Sequence, residues 1–163
     1  MKPDLKKLSC CLLIILILLT LCFIFGNSIK GPEESKEQSD TVGNALRPVI
    51  DPNETMSDSE YSFFIRKSGH FTEYALLGFE CALLAFLICG RMTLSGASCA
   101  AGGCLFAADI DEFIQSFTER GSKVADVLLD FSGAIVGLAI GFSLAYAVRY
   151  IYRRKKATCP KKQ

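Results

Sequence analysis

Arg66-Lys67-Ser68-Gly69-His70-Phe71-Thr72-Glu73-Tyr74 is a charged strip placed where an apolar run begins, and that run continues to Cys89. Such a run reads as a membrane helix, and charges at its mouth are costly unless they pair or act on something. On a helix, Arg66, His70, Glu73 and Glu80 fall near one face, whereas Lys67, His70 and Tyr74 form a second, overlapping stripe. His70, the only histidine in the chain, belongs to both.

Just upstream, Ser57 is followed three residues later by Glu60 and then by Tyr61, Phe63, Phe64 and Ile65, the pattern of a capping box opening a helix. The helix is expected to begin aromatic-first at the membrane interface and to enter the bilayer through Gly69. Before it, residues 27–60 form a polar stretch with more acids than bases, read as an extracytoplasmic loop. Within it, Val42, Leu46, Val49 and Ile50 give part of the loop a means of resting on the membrane surface. Further back, Leu8 to Phe25 is unbroken apolar sequence behind Lys2, Lys6 and Lys7, long enough for a first span retained in the mature chain.

Downstream, the short turn Gly90-Arg91-Met92-Thr93 makes the second and third spans antiparallel neighbours. The third span, from about Leu94, is rich in Gly96, Ala97, Ala100, Ala101, Gly102 and Gly103, small residues that let helices approach closely in lipid. It ends in Asp109, Asp111, Glu112 and Gln115. After a polar turn containing Arg120, a fourth span runs from about Val124 to Val148, with Asp126, Asp130, Gly133, Gly137 and Gly141 on one stripe. The two carboxylates thus continue a face expected to pack inward.

Of 163 residues half are apolar, and the net charge of +1 is unevenly spread. The tail from Arg149 carries Arg153, Arg154, Lys155, Lys156, Lys161 and Lys162 with no acid, so both ends read as cytoplasmic. This basic tail is sufficiently explained by topology and by attraction to anionic lipid, and no nucleic-acid partner is expected. The eight cysteines lie in apolar segments, apart from Cys159 in the tail, and read as free and buried rather than disulfide-bonded. No pair has structural-zinc spacing with a nearby histidine.

The expected fold is all-α: an integral membrane bundle of four transmembrane helices with both termini inside. Its parts are a first helix at 1–26, the polar loop at 27–60, a three-helix core at 61–148 and a basic tail at 149–163. In this topology the charged strips meet at the outer membrane face. Arg66, Lys67, His70, Glu73, Asp109, Asp111, Glu112, Gln115, Arg120, Asp126 and Asp130 are expected to surround one outward-open cavity, pairing among themselves. Glu80 lies deeper, with no evident partner. A purely structural ion-pair network is the simpler account, but lone polar residues that join helices in lipid are usually neutral amides and hydroxyls.

The three strips resemble the VanZ-like family of small bacterial membrane proteins. The matching residues are Arg66-Lys67, His70-Phe71, Glu73-Tyr74 and Leu77-Gly78; then Asp111-Glu112, Gln115 and Phe117; then Arg120, Asp126, Gly133 and Gly137. They cover about half the chain, Phe64 to Gly141. Asp130 departs from the family pattern, where asparagine is expected, so the resemblance assigns that position no unique role. The resemblance implies a bacterial plasma-membrane protein associated with resistance to teicoplanin-type glycopeptides, and it supplies no mechanism.

Two functions follow as expectations. In the first, Arg66, Lys67 and Arg120 bind the phosphate or carboxylate of an amphiphile, either a glycopeptide or a cell-wall lipid precursor, with Glu112, Gln115, Asp126 and Asp130 completing the site. In the second, an enzyme acts on a lipid-linked or cell-wall substrate with His70 as acid/base, oriented by Glu73 or Asp111. Neither needs a cofactor. A divalent ion on His70 and Glu73 with Asp109, Asp111 or Glu112 is set aside, because Arg66 and Lys67 stand close enough to repel it. Membrane lipids are the expected surroundings, and the small-residue faces offer a route to oligomers.

Overall fold

The computed structural model describes residues 3–118 and 123–158. It is all-helical, with five helices and no strand among the described residues: α1 (Pro3–Ser28), α2 (Pro32–Ile50), α3 (Asp58–Cys89), α4 (Leu94–Ser116) and α5 (Val124–Thr158). The segment expected as a loop at 27–60 thus contains a helix, α2, opened by Pro32 at its first turn, where a missing N–H costs nothing.

The capping box at the start of α3 is formed. Ser57 N donates to Glu60 Oε2 at 3.0 Å, and Glu60 N donates to Ser57 Oγ at 3.4 Å. α3 stops at Gly90, whose φ of 68° lies in the left-handed region that glycine enters without a Cβ clash. The chain then turns into α4, whose first free N–H groups find Thr93 Oγ1 3.1 Å from Gly96 N.

Which helices run together follows from where small residues sit. A Cβ at Gly133 would overlap the carbonyl oxygen of Phe71, one at Gly137 that of Ala75, and one at Gly78 that of Ala134, while one at Gly141 would come 2.7 Å from Ala82 Cβ. Positions 71, 75 and 82 therefore meet 133, 137 and 141 in the same order, so α3 and α5 lie parallel and almost backbone to backbone. Two parallel helices joined by α4 require α4 to run back along them. It does: Tyr74 Oη on α3 donates to Ala107 O on α4 at 3.2 Å, and Gly96 at the start of α4 lies beside Cys89 at the end of α3.

α1 covers this triplet in the direction opposite to α3. Lys6 Nζ reaches Ile88 O at 3.2 Å at one end of the bundle, and Thr118 Oγ1 lies 3.5 Å from Ser28 O at the other. The core is built from Ile24, Tyr74, Leu77, Cys104, Ala107, Ala108 and Ala134, with Ala82, Leu138 and Phe142 continuing it. α2 docks across the start of α3, where Tyr61 Oη donates to Gly43 O at 2.9 Å and the Arg47 guanidinium pairs with Asp58 at 2.6 Å. Leu12, Leu19, Phe23, Phe106, Leu128 and Ile140 remain largely exposed, the outward apolar surface of a helix bundle that faces lipid.

Three helical stretches are long and apolar enough to cross a membrane: Asp4–Ser28, Asp58–Cys89 and Val124–Lys155. This corrects the expectation of four. α4 falls short because glycine, alanine and serine replace larger apolar residues and because it carries Asp109, Asp111 and Glu112. Its buried residues, Cys104, Ala107, Ala108, Asp111, Glu112 and Gln115, face the other helices. The chain is accordingly a multi-pass membrane protein. The cysteines among the described residues are free, and Cys159 lies outside them.

Gly137→Val forces a side chain into the Ala75 carbonyl, which rigid helix backbone cannot yield, so its cost is expected at or above the ~3 kcal/mol upper end of ordinary overpacking. Gly102→Val meets nothing within 4 Å. Thermal unfolding of the detergent-solubilised variants should therefore show a large loss for the first and little change for the second.

Candidate functional site

The parallel register of α3 and α5 fixes the site. One turn of α3 carries Lys67 and His70, and one turn of α5 carries Asp126 and Asp130. Lys67 Nζ meets Asp126 Oδ1 at 2.5 Å, each side chain about one-fifth exposed. Deeper in the bundle, His70 Nδ1 lies 3.7 Å from Asp130 Oδ1 and 3.8 Å from Asp111 Oδ2, the latter contributed by α4. The two carboxylates are 1% and 0% exposed. One imidazole thus stands between two buried carboxyl groups on separate helices.

The two carboxyl groups differ in their surroundings. Asp111 accepts from Gln115 Nε2 at 3.0 Å, one turn along α4, and from the Ser28 hydroxyl at the end of α1. Asp130 has neither oxygen in a hydrogen bond. Such a group forgoes its hydration without replacement, a cost of ~1–3 kcal/mol even for a neutral partnerless group. Buried polar atoms are otherwise almost always satisfied, so Asp130 calls for a reason.

Glu112, also buried, accepts from Lys123 N at 3.0 Å and so holds the beginning of α5, where a negative charge is favoured by the exposed N–H groups. Glu73 turns to the other side of α3 and accepts from Asn27 Nδ2 at 3.1 Å. Glu80, on that same side, is buried and accepts from Thr20 Oγ1 at 3.2 Å. The partner it lacked in sequence is on α1.

The structure thus brings together Lys67, His70, Asp111, Gln115, Asp126 and Asp130, with Glu112 holding the adjoining helix start. Arg66 does not join them. Its guanidinium lies over Phe63 at 5.9 Å and lines a separate groove of about 920 Å³ with Lys36, Arg47 and Tyr61. It is one residue from Lys67, and a helix turns by about 100° between neighbours. Asp109 is exposed, and Arg120 lies outside the described residues. The residues missed from sequence are Thr20, Asn27 and Ser28. Thr20, Ile24 and Ser28 are the three buried residues of α1 and recur every four positions, a stripe of small polar groups that was legible in an otherwise apolar run.

A second feature lies on the other side of α3. Between α1, α2 and α3 runs an apolar groove of about 810 Å³, bounded by Leu19, Phe23, Val42, Leu46 and Ile50, with Ser68 and Glu73 on its α3 wall. The far end of the bundle is different in kind. Lys6, Arg91, Arg149 and Arg153 gather there around the ends of α1, α3 and α5.

Fold and site define a helical membrane protein with a buried histidine-carboxylate cluster at one end of the bundle and basic residues at the other. The sequence model of the VanZ/LLP1 family matches residues 13–146, most of the chain and all the described site residues, and the chain belongs to that family. Neither a curated protein nor a solved structure matches it.

Asp126→Asn leaves Lys67 short of its counter-charge and should destabilise the protein by ~1–3 kcal/mol. Asp130→Asn removes a carboxylate that no donor satisfies, and in metal-free buffer it should unfold at a temperature no lower than the parent. If both variants lose stability alike, Asp130 is part of the packing rather than a group held ready for something else.

Proposed function

We propose that this VanZ-like protein lies in the plasma membrane of a bacterium with both termini in the cytoplasm. In this reading it takes part in resistance to teicoplanin-type glycopeptides by binding an amphiphile at the outer face. The topology follows from charge: the basic end of the bundle is the one the positive-inside rule retains in the cytoplasm. α1, α3 and α5 then span the bilayer, and α4 packs back along α3 and α5 with Asp111 and Glu112 buried against the other helices.

The observation that carries the reading is the placement of an apolar groove and a charged cluster on opposite sides of the same stretch of α3, with Glu73 bordering the groove and His70 the cluster. An amphiphile needs both: an apolar wall for its chain and fixed polar groups for its head. Lys67, a quarter-turn away at the rim, is the cation nearest a phosphate or carboxylate placed there. Glycopeptides with a lipid tail and the lipid-linked cell-wall precursor share that amphiphilic character.

His70 also supports the catalytic reading. An imidazole with Nδ1 directed at buried carboxyl groups is the arrangement that orients a general acid/base. In that reading Asp111 is the orienting group, because Glu73 lies on the groove side of α3.

The test is teicoplanin susceptibility in a sensitive host, with membrane abundance measured for each variant. Asp126→Asn and Asp111→Asn should bring resistance down to the empty-vector level at normal abundance, while Arg66→Ala should keep most of it. His70→Gln separates the readings, since a binding site tolerates it and an acid/base site does not. Full resistance in all four variants would sink both.

A further inference from the structure

We propose that His70, Asp111 and Asp130 form a binding site for a divalent transition-metal ion of the manganese or zinc type. The inference deepens the site of the proposed function and rests on the same cluster. The donor atoms of the three side chains all lie within 4.8 Å of one another. The two distances from His70 Nδ1, 3.7 and 3.8 Å, are too long for hydrogen bonds. They are close to the roughly 3.3–3.6 Å that separates two donors sharing a tetrahedral ion with bonds of about 2.0–2.2 Å.

One imidazole nitrogen with carboxylate oxygens suits borderline divalent ions, and thiolates play no part in the set. The independent observation is Asp130, 1% exposed, on the histidine side of the cluster, with both oxygens lacking a donor. A cation meets the need that no N–H or O–H in the described structure meets. Asp111 is held by outer partners, as metal-ligating carboxylates are: Ser28 donates to Oδ1, and Gln115 to Oδ2, the oxygen nearer His70. Three protein ligands from α3, α4 and α5 leave a coordination position for a solvent or ligand atom.

The objection raised by the sequence is removed by geometry. Lys67 carries its own counter-charge in Asp126, and Arg66 stacks on Phe63 beside a different groove, so no unpaired cation of that strip faces the three ligands. The ligand set also differs from the one considered there: Asp130 replaces Glu73, which is bound to Asn27 on the other face of α3.

Manganese(II) is the suitable probe, because the chain's cysteines bind it poorly whereas oxygen and nitrogen donors hold it. Detergent-solubilised protein freed of metal by chelation is titrated with manganese(II), and the free ion is followed by its electron paramagnetic resonance signal. The expected result is about one bound ion per chain. Asp130→Asn and His70→Gln should weaken binding at least tenfold, and Arg66→Ala, at the separate groove, should leave it within about twofold. Manganese that stays free in the presence of the unsubstituted chain overturns the proposal, as does equal binding by the chain and both ligand variants. Thermal unfolding of the unsubstituted chain with and without the ion gives a second reading that needs no variant, with an upward shift expected. Failure here leaves the susceptibility series untouched, so the metal site and the resistance reading stand or fall separately.

Discussion

The close parallel contact of α3 with α5 is the constraint from which the rest follows. Gly78 on one helix and Gly133, Gly137 and Gly141 on the other bring the two backbones nearer than any larger residue permits. In lipid, where neighbouring tails are as apolar as leucine, such packing is a principal source of helix association. Parallel contact between helices adjacent in sequence but for one intervening helix forces that helix to retrace the full distance. α4 can therefore be poorer in apolar residues than its neighbours, because its polar side is covered by them. The same register sets Asp126 level with Lys67 and Asp130 level with His70, so the glycines position the charges as well as the helices.

The charges at that end do not cancel pair by pair. Lys67 and Asp126 satisfy each other. Glu112 is engaged with the start of α5. What remains is one imidazole between two carboxyl groups, only one of which is supplied with hydrogen-bond donors. An ion-pair network whose only task was to hold helices together gains nothing from an additional unsatisfied acid, since a half-satisfied buried network is worse than an apolar one. Glu80 and Glu112 each keep one oxygen without a donor, but among the described residues Asp130 is the buried carboxylate with neither oxygen supplied, and the metal reading depends on it.

Much of this was legible before any coordinates. The start of α3 could be read from Ser57 and Glu60, the turn at Gly90 from its position after an apolar run, and the inward face of α5 from glycines spaced by four with two aspartates on the same stripe. The family could be read from the three charged strips. The number of spans could not, because the small-residue stripe of α4 reads like a span although the helix falls short of one in apolar content. Nor could the direction of each charge within a strip. Arg66 and Lys67 are adjacent in sequence yet serve different grooves, and Glu73 and His70, one turn apart, face different helices. The contribution of α1 was hidden for another reason. Thr20 and Ser28 meet Glu80 and Asp111 across 60 and 83 positions of chain, and nothing local to an apolar run announces such partners.

α1 thereby changes what the site can be. Without it, Asp111 would lose the donor that holds its Oδ1. With Ser28 in place, Oδ1 of Asp111 accepts from the hydroxyl, while Oδ2 accepts from Gln115 and lies 3.8 Å from His70 Nδ1. Among the described residues no donor reaches Asp130, whose two oxygens keep their capacity although the side chain is buried. Two aspartates at similar depth are thus driven to opposite roles by their neighbours: one is fixed as an orienting group, the other remains available to a ligand. A ligand that engages Asp130 must therefore supply a positive charge or a hydrogen-bond donor, whereas an anion finds its counter-charge at Lys67.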